Sequence, residues 1–333
     1  MARPRGGSSG APVTVADLLR QAAARMRPRV GLENPAREAR WLLAAVLGRQ
    51  ESWLLAHPDD EVRADAVMRF NDVVARRDGG EPAHAILGEC PFWGRPFLVS
   101  PDVLIPRPET ELLVERALTL PVPSDARIVD VGTGSGCIAI SVALERPRAQ
   151  VVATEFSLPA VQVAARNAAR LGANVTFACG DLARHLRGPF HLVVANLPYI
   201  PSAQLAGLAP EIRGHEPRVA FDGGIDGDEL LRALVVDLPR LLGPAGLALM
   251  EVGPGHAALL EPALHRVGLA IRETVTDLSG VARVIVVARL SASGGAAPPG
   301  SGVPVQPAGH QRGKHRAHPQ HEHPPEWEDA GDR

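Results

Sequence analysis

Four consecutive residues, Asn196-Leu197-Pro198-Tyr199, carry groups that can hold a planar amino group. They follow the apolar run 191–195, which is typical of a buried strand. The Asn196 side-chain oxygen and the Leu197 carbonyl can accept the two hydrogens of one NH₂ group, and Tyr199 can cover its flat face. Pro198 restricts the backbone, which leaves the Leu197 carbonyl without a strand partner. The segment is a candidate site for presenting a nitrogen nucleophile; in isolation, a turn capped by prolines is the alternative.

A glycine-rich loop follows another apolar run. Gly132, Gly134 and Gly136 allow a ligand to approach the backbone, and the helix that follows offers free N–H groups. Glu155 ends the next predicted strand, where a carboxylate can bind two ribose hydroxyls. The spacing differs from that of dinucleotide-binding loops, and the negative charge of Asp130 favours a cationic group, such as a sulfonium or an ammonium, over a pyrophosphate. A tight turn without a ligand is the alternative.

These segments lie within an alternating pattern of strands and helices over residues 110–290. Such alternation predicts a mostly parallel sheet with helices on both faces. The turn signal at Ser279-Gly280 predicts that the final strand is antiparallel. The predicted strands are 127–131, 150–154, 174–178, 191–195, 246–252, 269–275 and 282–289. The predicted helices between them are 136–146, 158–171, 228–241 and 255–267.

The part of the chain before the sheet has a different pattern. Residues 13–80 predict a small helical bundle, with helices that begin after Thr14 and Asn34 and a third helix from about Asp60 to Arg77. Residues 81–109 predict a hairpin or irregular linker.

The two ends of the chain differ from the rest in composition. Residues 1–12 and the Pro-, Gly- and His-rich residues 291–333 are expected to be disordered. Five histidines in the second of these segments could bind a metal, but a solvated tail is the simpler interpretation, and we expect no metal site.

Composition excludes several classes of protein. The chain has 333 residues, 22% of them charged, and a formal net charge of −2, which does not indicate a nucleic-acid-binding protein. No apolar run has the length of a membrane helix, and the first residues lack the apolar segment of a secretory signal. Three scattered cysteines form no disulfide or zinc pattern. We therefore expect a cytoplasmic protein.

Taken together, the segments resemble the class I S-adenosylmethionine-dependent methyltransferases, in which Asn196–Tyr199 matches the motif Asn-Pro-Pro-Tyr. More narrowly, residues 14–290 resemble the peptide chain release factor glutamine methyltransferases. Leu197 stands where that family usually has proline, and Glu155 where it more often has aspartate. The further segments that carry the resemblance are 88–97 (GECPFWGRPF), 105–111 (IPRPETE), Glu216-Pro217, Asp222-Gly223-Gly224, Asp226-Gly227, Glu251-Val252-Gly253, and Asp277 with Gly280 and Arg283-Val284.

The resemblance implies an α/β fold: a Rossmann-like, seven-stranded class I methyltransferase domain, mostly parallel with the last strand antiparallel, preceded by a helical bundle that grips the release factor. It also implies that the cofactor is S-adenosyl-L-methionine and that Arg107 to Glu111 line its entrance. The implied cofactor-binding residues are Gly132, Thr133, Gly134, Ser135, Gly136, Glu155, Asp181, Leu182 and Asn196. The implied substrate-binding residues are Asn196, Leu197, Pro198 and Tyr199, with Asn196, Pro198 and Tyr199 as the catalytic set.

The implied activity is methyl transfer to the glutamine side chain in the Gly-Gly-Gln motif of class I release factors, without direct binding to nucleic acid or membrane. Methylation of a glutamine in a ribosomal protein is the nearest alternative. An adenine N6-methyltransferase acting on DNA or RNA uses the same acceptor chemistry, but the net charge of −2 disfavours it. A nucleotide-binding module without turnover is the alternative from another class.

Overall fold

A seven-stranded sheet forms the centre of the computed structural model, which describes residues 12–26 and 34–290. The strand order is β5-β4-β3-β6-β7-β9-β8. The strands from β3 to β7 pair in parallel, whereas β9 is antiparallel to both β7 and β8. The predicted fold class is confirmed, including the antiparallel last strand. The strands of this sheet are β3 (Arg127–Val131), β4 (Gln150–Glu155), β5 (Val175–Cys179), β6 (Phe190–Ala195), β7 (Leu242–Glu251), β8 (Leu269–Thr276) and β9 (Ala282–Arg289).

The order of the strands reverses between β3 and β6. From β3 the chain builds outward through β4 and β5, and then returns to add β6 and β7 on the other side. In open α/β sheets, ligands bind at this switch point, outside the carboxyl ends of the strands. The glycine loop follows β3 and Asn196 follows β6, so the topology brings the two predicted segments to one edge of the sheet.

Helices cover both faces of the sheet and bury its apolar residues in two cores. One core contains α6 and α7, and the other contains α10 and α11. The side chains of β6 alternate between them, since Val193 belongs to one core and Val194 to the other. The helices of this part of the chain are α6 (Glu111–Thr119), α7 (Cys137–Glu145), α8 (Leu158–Leu171), α9 (Pro210–His215), α10 (Glu229–Leu241) and α11 (His256–Arg266).

The first helices pack around a core of their own, which includes Leu18, Leu42 and Phe70. Two of the predicted helix starts are visible as caps: Asp17 N–H donates to Thr14 Oγ1 at 3.2 Å, and Arg37 N–H donates to Asn34 Oδ1 at 3.0 Å. These helices are α1 (Val15–Met26), α2 (Pro35–Leu47), α3 (Glu51–Ala56), α4 (Ala64–Asp78) and α5 (Ala83–Leu87).

The boundaries of the later helices differ from the prediction. The helix expected from Asp60 begins at Ala64, because residues 57–63 form turns and a bridge between Thr14 and Glu61. The short helices α3 and α5 were not predicted, since each is too brief to show a helical repeat. The expected hairpin consists of β1 (Glu89–Phe92) and β2 (Arg95–Leu98).

A buried arginine connects the helical bundle to the sheet domain. The guanidinium of Arg77, on α4, contacts Glu38 on α2, and its Nη1 lies 2.7 Å from Glu211 Oε1 on α9. The described residues up to Leu290 form one compact unit. The domain boundary near residue 80 thus remains a prediction. Most of residues 1–12 and all of 291–333 lie outside the described residues.

Replacing Arg77 by alanine is expected to lower the free energy of unfolding by about 3 kcal/mol, because it removes a buried cation from between two partly buried carboxylates. The adjacent Arg76 pairs with Glu81 at the surface, with 42% of its side chain exposed, so Arg76→Ala is the matched control and should cost less than about 1 kcal/mol. Urea unfolding of both variants measures the difference. Equal losses would mean that Arg77 does not connect the two parts.

Candidate active site

A cavity of about 580 Å³ opens at the carboxyl ends of β3, β4 and β6. Most of the predicted site residues line it, so the fold brings together side chains that are up to 66 positions apart in the chain. Gly136 and Tyr199 are predicted site residues that do not line it. The predicted residues that line the cavity are Gly132, Thr133, Gly134, Ser135, Glu155, Asp181, Leu182, Asn196, Leu197 and Pro198.

The three glycines of the loop serve different purposes. All have positive φ angles, of 76°, 54° and 83° for Gly132, Gly134 and Gly136, which favour glycine. A Cβ on Gly134 would meet no atom within 4 Å, so this position faces open space. A Cβ on Gly136 would lie 2.8 Å from Ile140 and 3.1 Å from Ala164. Gly136 therefore permits close packing of the start of α7 against α8, and the cofactor contact predicted for it stays a prediction.

Glu155 holds the glycine loop against the end of β4. Its Oε2 accepts a hydrogen bond from Gly134 N–H at 3.0 Å, and its Oε1 accepts one from Ser157 N–H at 3.0 Å. Each carboxylate oxygen can accept a second bond, so the group keeps capacity for hydroxyls in the cavity. The side chain of Phe156 lines the cavity next to it and is 73% exposed.

Asp130 lies beneath the loop and does not line the cavity, unlike the cation-facing carboxylate expected from the sequence. Its Oδ2 accepts from the Thr133 hydroxyl at 2.6 Å and from Ala139 N–H at 3.2 Å, so it joins the loop to the first turn of α7. Its Oδ1 has no partner among the described residues. Burial raises the pKa of this carboxyl to about 7.

Asp181 and Leu182 form another wall of the cavity, after β5. Gly180 N–H donates to the Glu155 carbonyl at 2.9 Å, which fixes this segment beside β4. Leu182 is buried and adopts a positive φ of 47°, an uncommon conformation for leucine. The wall is therefore apolar at Leu182 and charged at Asp181.

Asn196 points one end of its amide at Thr110. Its Nδ2 donates to Thr110 Oγ1 at 3.1 Å. Within the described part of the chain, neither Asn196 Oδ1 nor the Leu197 carbonyl accepts a hydrogen bond from another residue. Both oxygens are thus free to accept a hydrogen bond, and their predicted role in holding a substrate amino group stays a prediction.

Leu197 contacts the glycine loop directly. Its side chain is 3% exposed, and its Cδ2 would lie 2.7 Å from a Cβ on Gly132. Gly132 must therefore lack a side chain for the acceptor segment and the loop to approach each other. The Leu197 side chain belongs to the hydrophobic core and so contributes to the packing of the domain.

A second glycine-rich segment supports the backbone after Tyr199. Ile200 N–H donates to the Phe221 carbonyl at 3.0 Å, and Gly223 N–H donates to the Ile200 carbonyl at 2.9 Å. A Cβ on Gly223 would lie 2.8 Å from Tyr199 Cα. Asp222 anchors this segment by accepting from the Ser202 hydroxyl at 2.5 Å. The motif Asp222-Gly223-Gly224 thus supports the acceptor segment from behind, which local sequence reasoning did not show.

Tyr199 packs behind the wall of the cavity. Its ring centroid is 6.0 Å from that of His256, and a Cβ on Gly253 would lie 2.9 Å from its Cδ2. Burial raises the pKa of its hydroxyl. The contact of this ring with the face of a substrate amide stays a prediction.

The segment 105–111 divides between the cavity and the hairpin. Arg107 and Thr110 line the cavity, as expected. Arg107 Nη2 donates to Glu216 Oε1 at 2.5 Å, and Glu216 Oε2 accepts from Ile105 N–H at 3.0 Å. Glu111 points elsewhere, since its Oε1 accepts from Trp93 N–H at 2.7 Å in the turn of the hairpin. The entrance therefore uses part of the predicted segment.

The residues present fit a nucleoside with a cationic, amino-acid-like arm. Gly134 leaves open space at the end of β3, Glu155 has acceptor capacity at the end of β4, and the wall at Leu182 is apolar. Together with the sheet order and the antiparallel β9, this defines a class I methyltransferase, an enzyme whose cofactor is S-adenosylmethionine.

Comparison with known proteins narrows the class. Residues 17–88 match the family model described as the PrmC N-terminal domain, and residues 108–209 match the methyltransferase small domain. The chain is 42% identical over 256 residues to the release factor glutamine methyltransferase of Geobacter sulfurreducens, which covers 77% of this chain and 90% of that protein. It is 39% identical over 280 residues to the protein of the same name from Cereibacter sphaeroides. That match covers 84% of this chain and 99% of the relative. The chain belongs to the release factor glutamine methyltransferase family.

The buried carboxyl of Asp130 predicts a pH dependence of stability. Its pKa is raised from 3.8 to about 7, so the folded protein binds this proton more tightly than the unfolded chain does. The free energy of unfolding therefore falls as the pH rises from about 4 to about 7, by about 1.4 kcal/mol for each unit of the difference in pKa.

Asp130→Asn keeps the acceptor for Thr133 and removes the ionisation, so it should be more stable relative to the natural protein at pH 8 than at pH 5. Urea unfolding at the two pH values measures this. The exposed Asp72→Asn is the matched control and should show no such change. A pH dependence for Asp130→Asn that equals that of the natural protein would contradict the assignment.

Proposed function

We propose that this enzyme transfers a methyl group from S-adenosylmethionine to the side-chain nitrogen of the glutamine in the Gly-Gly-Gln motif of class I peptide chain release factors. The observation that carries the proposal is the pair of available acceptors, Asn196 Oδ1 and the Leu197 carbonyl, beside the glycine loop. The names of the relatives support the same substrate.

The two acceptors would make the amide nitrogen of the substrate a better nucleophile. An amide nitrogen is a poor nucleophile because its lone pair is delocalised into the carbonyl. When bound, the cofactor supplies a methyl group activated by a positively charged sulfur. Asn196 Oδ1 and the Leu197 carbonyl each accept one hydrogen of the substrate NH₂, which turns the nitrogen lone pair toward the cofactor side of the cavity. As the nitrogen becomes positively charged, both acceptors hold it more strongly, so they favour the transition state over the ground state. The methylated nitrogen then loses one of its two hydrogens as a proton to water, which gives the neutral amide.

The other site residues position the two reactants. We assign Gly132 to Ser135 to the methionine part of the cofactor, Glu155 to its ribose hydroxyls, and Asp181 and Leu182 to its adenine. Pro198 restricts the backbone that presents the Leu197 carbonyl. Tyr199 contributes from behind the wall by packing against Gly253 and His256.

Two other substrates fit the same acceptors. A glutamine in a ribosomal protein presents the same amide, and the geometry of the acceptors does not separate it from the release factor. Adenine also carries a planar NH₂, but the chain has a net charge of −2, which gives nucleic acid no general attraction. The proposal thus favours a protein substrate and no direct contact with nucleic acid.

The proposal also places the enzyme in the cytoplasm, where its translation substrate is found. Among the described residues, no helix has the length and apolarity needed to cross a bilayer.

The helical bundle, residues 13–80, is the proposed contact for the release factor. It has its own core, so its outer face can be used for binding. Leu55 on α3 and Met68 on α4 are apolar yet 63% and 68% exposed. Arg77 couples the bundle to α9, which leads into the cavity-lining residues 217–220. Residues 291–333 have no part in the proposed reaction.

The substrate is tested by incubating the enzyme with methyl-labelled S-adenosylmethionine and a release factor, ribosomes or DNA in separate reactions. Mass spectrometry should find one added methyl group on the glutamine of the Gly-Gly-Gln motif. A release factor with that glutamine replaced by alanine is the control and should stay unlabelled. Label found on a ribosomal protein or on DNA alone would overturn the proposal.

Asn196→Ala should lower kcat by about 10²–10³, because one preorganised acceptor is lost at the reacting nitrogen. The exposed Asn174→Ala, directly before β5, is the matched control and should keep full activity. Steady-state kinetics with one release factor compare the two, and thermal melting shows whether each is folded. An Asn196→Ala enzyme with undiminished kcat would mean that the acceptors have been wrongly assigned.

Leu55→Glu and Met68→Glu should each raise KM for the release factor about tenfold, since a charge replaces apolar contact area. Affinity for S-adenosylhomocysteine, measured by calorimetry, should stay the same. Val236→Glu, at a residue of α10 that is 68% exposed, is the matched control and should leave KM unchanged. If both bundle variants keep the natural KM, the release factor binds elsewhere.

A further inference from the structure

An ion pair between two walls of the cavity has no role in the reaction as described so far. Arg107, in the segment before α6, and residues 217–220, after α9, line the same cavity. Glu216 joins these walls: its Oε1 accepts from Arg107 Nη2 at 2.5 Å, and its Oε2 accepts from Ile105 N–H at 3.0 Å. The Glu216 side chain is 1% exposed and that of Arg107 is 34% exposed. The carboxylate is therefore buried with both oxygens engaged, whereas the guanidinium stays accessible.

The Arg107 guanidinium has more donors than Glu216 uses. An arginine side chain carries five N–H groups in one fixed plane. Within the described residues, the bond from Nη2 to Glu216 is the only hydrogen bond that the Arg107 side chain makes. The Nε hydrogen and both Nη1 hydrogens are therefore available to a ligand. Because Glu216 holds Nη2, it also restricts the directions in which the remaining donors can point.

Arg107 is connected through one residue to the proposed acceptor pair. Thr110 N–H donates to the Arg107 carbonyl at 3.1 Å, and Thr110 Oγ1 accepts from Asn196 Nδ2 at 3.1 Å. The acceptor pair uses the two hydrogens of the substrate nitrogen, but a peptide that enters the cavity also brings carbonyl oxygens. Each of these oxygens loses its water on entry and needs a donor in exchange.

The reaction favours a main-chain carbonyl as the partner of this donor. A hydrogen bond to the side-chain carbonyl of the glutamine would draw electron density away from its nitrogen and make that nitrogen a poorer nucleophile. A hydrogen bond to a main-chain carbonyl holds the peptide without this effect. The donor set of Arg107 is therefore suited to the backbone of the Gly-Gly-Gln segment.

Glu216 also determines the charge that Arg107 presents to the cavity. Arginine stays protonated, so an arginine without a counter-charge would favour an anion and would repel the sulfonium of the cofactor. Paired with the Glu216 carboxylate, the guanidinium belongs to a group without net charge. Its donors then suit a neutral oxygen, and the pair opposes binding of the cationic cofactor much less than a lone arginine would.

We propose that Arg107 donates to a main-chain carbonyl oxygen of the substrate peptide, and that Glu216 is a positioning residue that orients the guanidinium and neutralises its charge. The inference rests on the proposed function, because it concerns the peptide that carries the reacting glutamine. It adds a donor for the peptide backbone to the two acceptors for the amide nitrogen.

Arg107→Lys tests the contact with the substrate. Lysine keeps the charge but replaces the planar fork by a single ammonium group, so one hydrogen bond is lost. KM for the release factor should rise about tenfold, with kcat and the affinity for S-adenosylhomocysteine within about threefold, because the contact is made equally in the ground and transition states. Arg95→Lys is the matched control and should leave KM unchanged. Arg95 is 26% exposed, its Nη2 lies 2.7 Å from Glu145 Oε1, and it does not line the cavity.

Glu216→Gln tests the role of the carboxylate. The variant keeps the size of the side chain and leaves Arg107 as a cation without its counter-charge, so KM for the release factor should again rise about tenfold. S-adenosylmethionine carries the sulfonium charge that S-adenosylhomocysteine lacks. Its affinity relative to S-adenosylhomocysteine should therefore fall at least about threefold in Glu216→Gln and stay the same in Arg107→Lys, which retains both charges. Calorimetry measures both ligands, with Glu145→Gln as the control.

The measurements separate the inference from a purely structural role. A damaged fold would weaken the binding of both cofactor forms together, and thermal melting shows whether each variant is folded. A natural KM in both Arg107→Lys and Glu216→Gln would overturn the inference. A loss of S-adenosylhomocysteine affinity in Arg107→Lys as large as the rise in KM would also overturn it, because Arg107 would then bind the carboxylate of the cofactor. An unchanged ratio of the two cofactor affinities in Glu216→Gln would contradict the neutralising role of Glu216.

These outcomes are distinct from failure of the proposed function. In that case the natural enzyme itself would leave the release factor glutamine unmethylated.

Discussion

A primary amide can be held through its nitrogen only where two hydrogen-bond acceptors face the same small volume, because each of its hydrogens needs one. In the proposed reaction, the end of β6 meets this requirement with one side-chain oxygen, from Asn196, and one backbone oxygen, from Leu197. A backbone carbonyl cannot flip into a donor, but a side-chain amide can. The arrangement therefore depends on the contact that holds Asn196 Nδ2 at Thr110 Oγ1, 3.1 Å away.

Much of the surrounding fold serves to bring this acceptor pair to the cavity. The reversal of strand order places the end of β6 beside the glycine loop after β3. Gly132 has no side chain, so Leu197 can lie against it, and Gly223 has none, so the backbone of Tyr199 can lie against that segment. Glycine at these positions is required by contacts between segments that are far apart in the chain. Asp130 and Glu155 then hold the loop from below and from the side.

The sequence was most informative where a short segment determines its own structure. The seven strands, the caps at Thr14 and Asn34, and the glycine loop follow from local patterns. Helices of five or six residues, such as α3 and α5, contain too few turns to show a repeat. The packing role of Gly136, the position of Asp130 beneath the loop and the place of Tyr199 behind the wall depend on contacts with other elements. The link from Asn196 to Thr110 joins residues 86 positions apart, so no local pattern could indicate it.

A crystal structure of the enzyme with S-adenosylhomocysteine and a release factor tests most directly whether these two oxygen atoms hold the substrate nitrogen. The nitrogen of the Gly-Gly-Gln glutamine should lie about 2.9 Å from both Asn196 Oδ1 and the Leu197 carbonyl, with the cofactor sulfur on its remaining open side. A complex in which that nitrogen contacts neither oxygen, or in which the glutamine lies outside the cavity, would contradict the account.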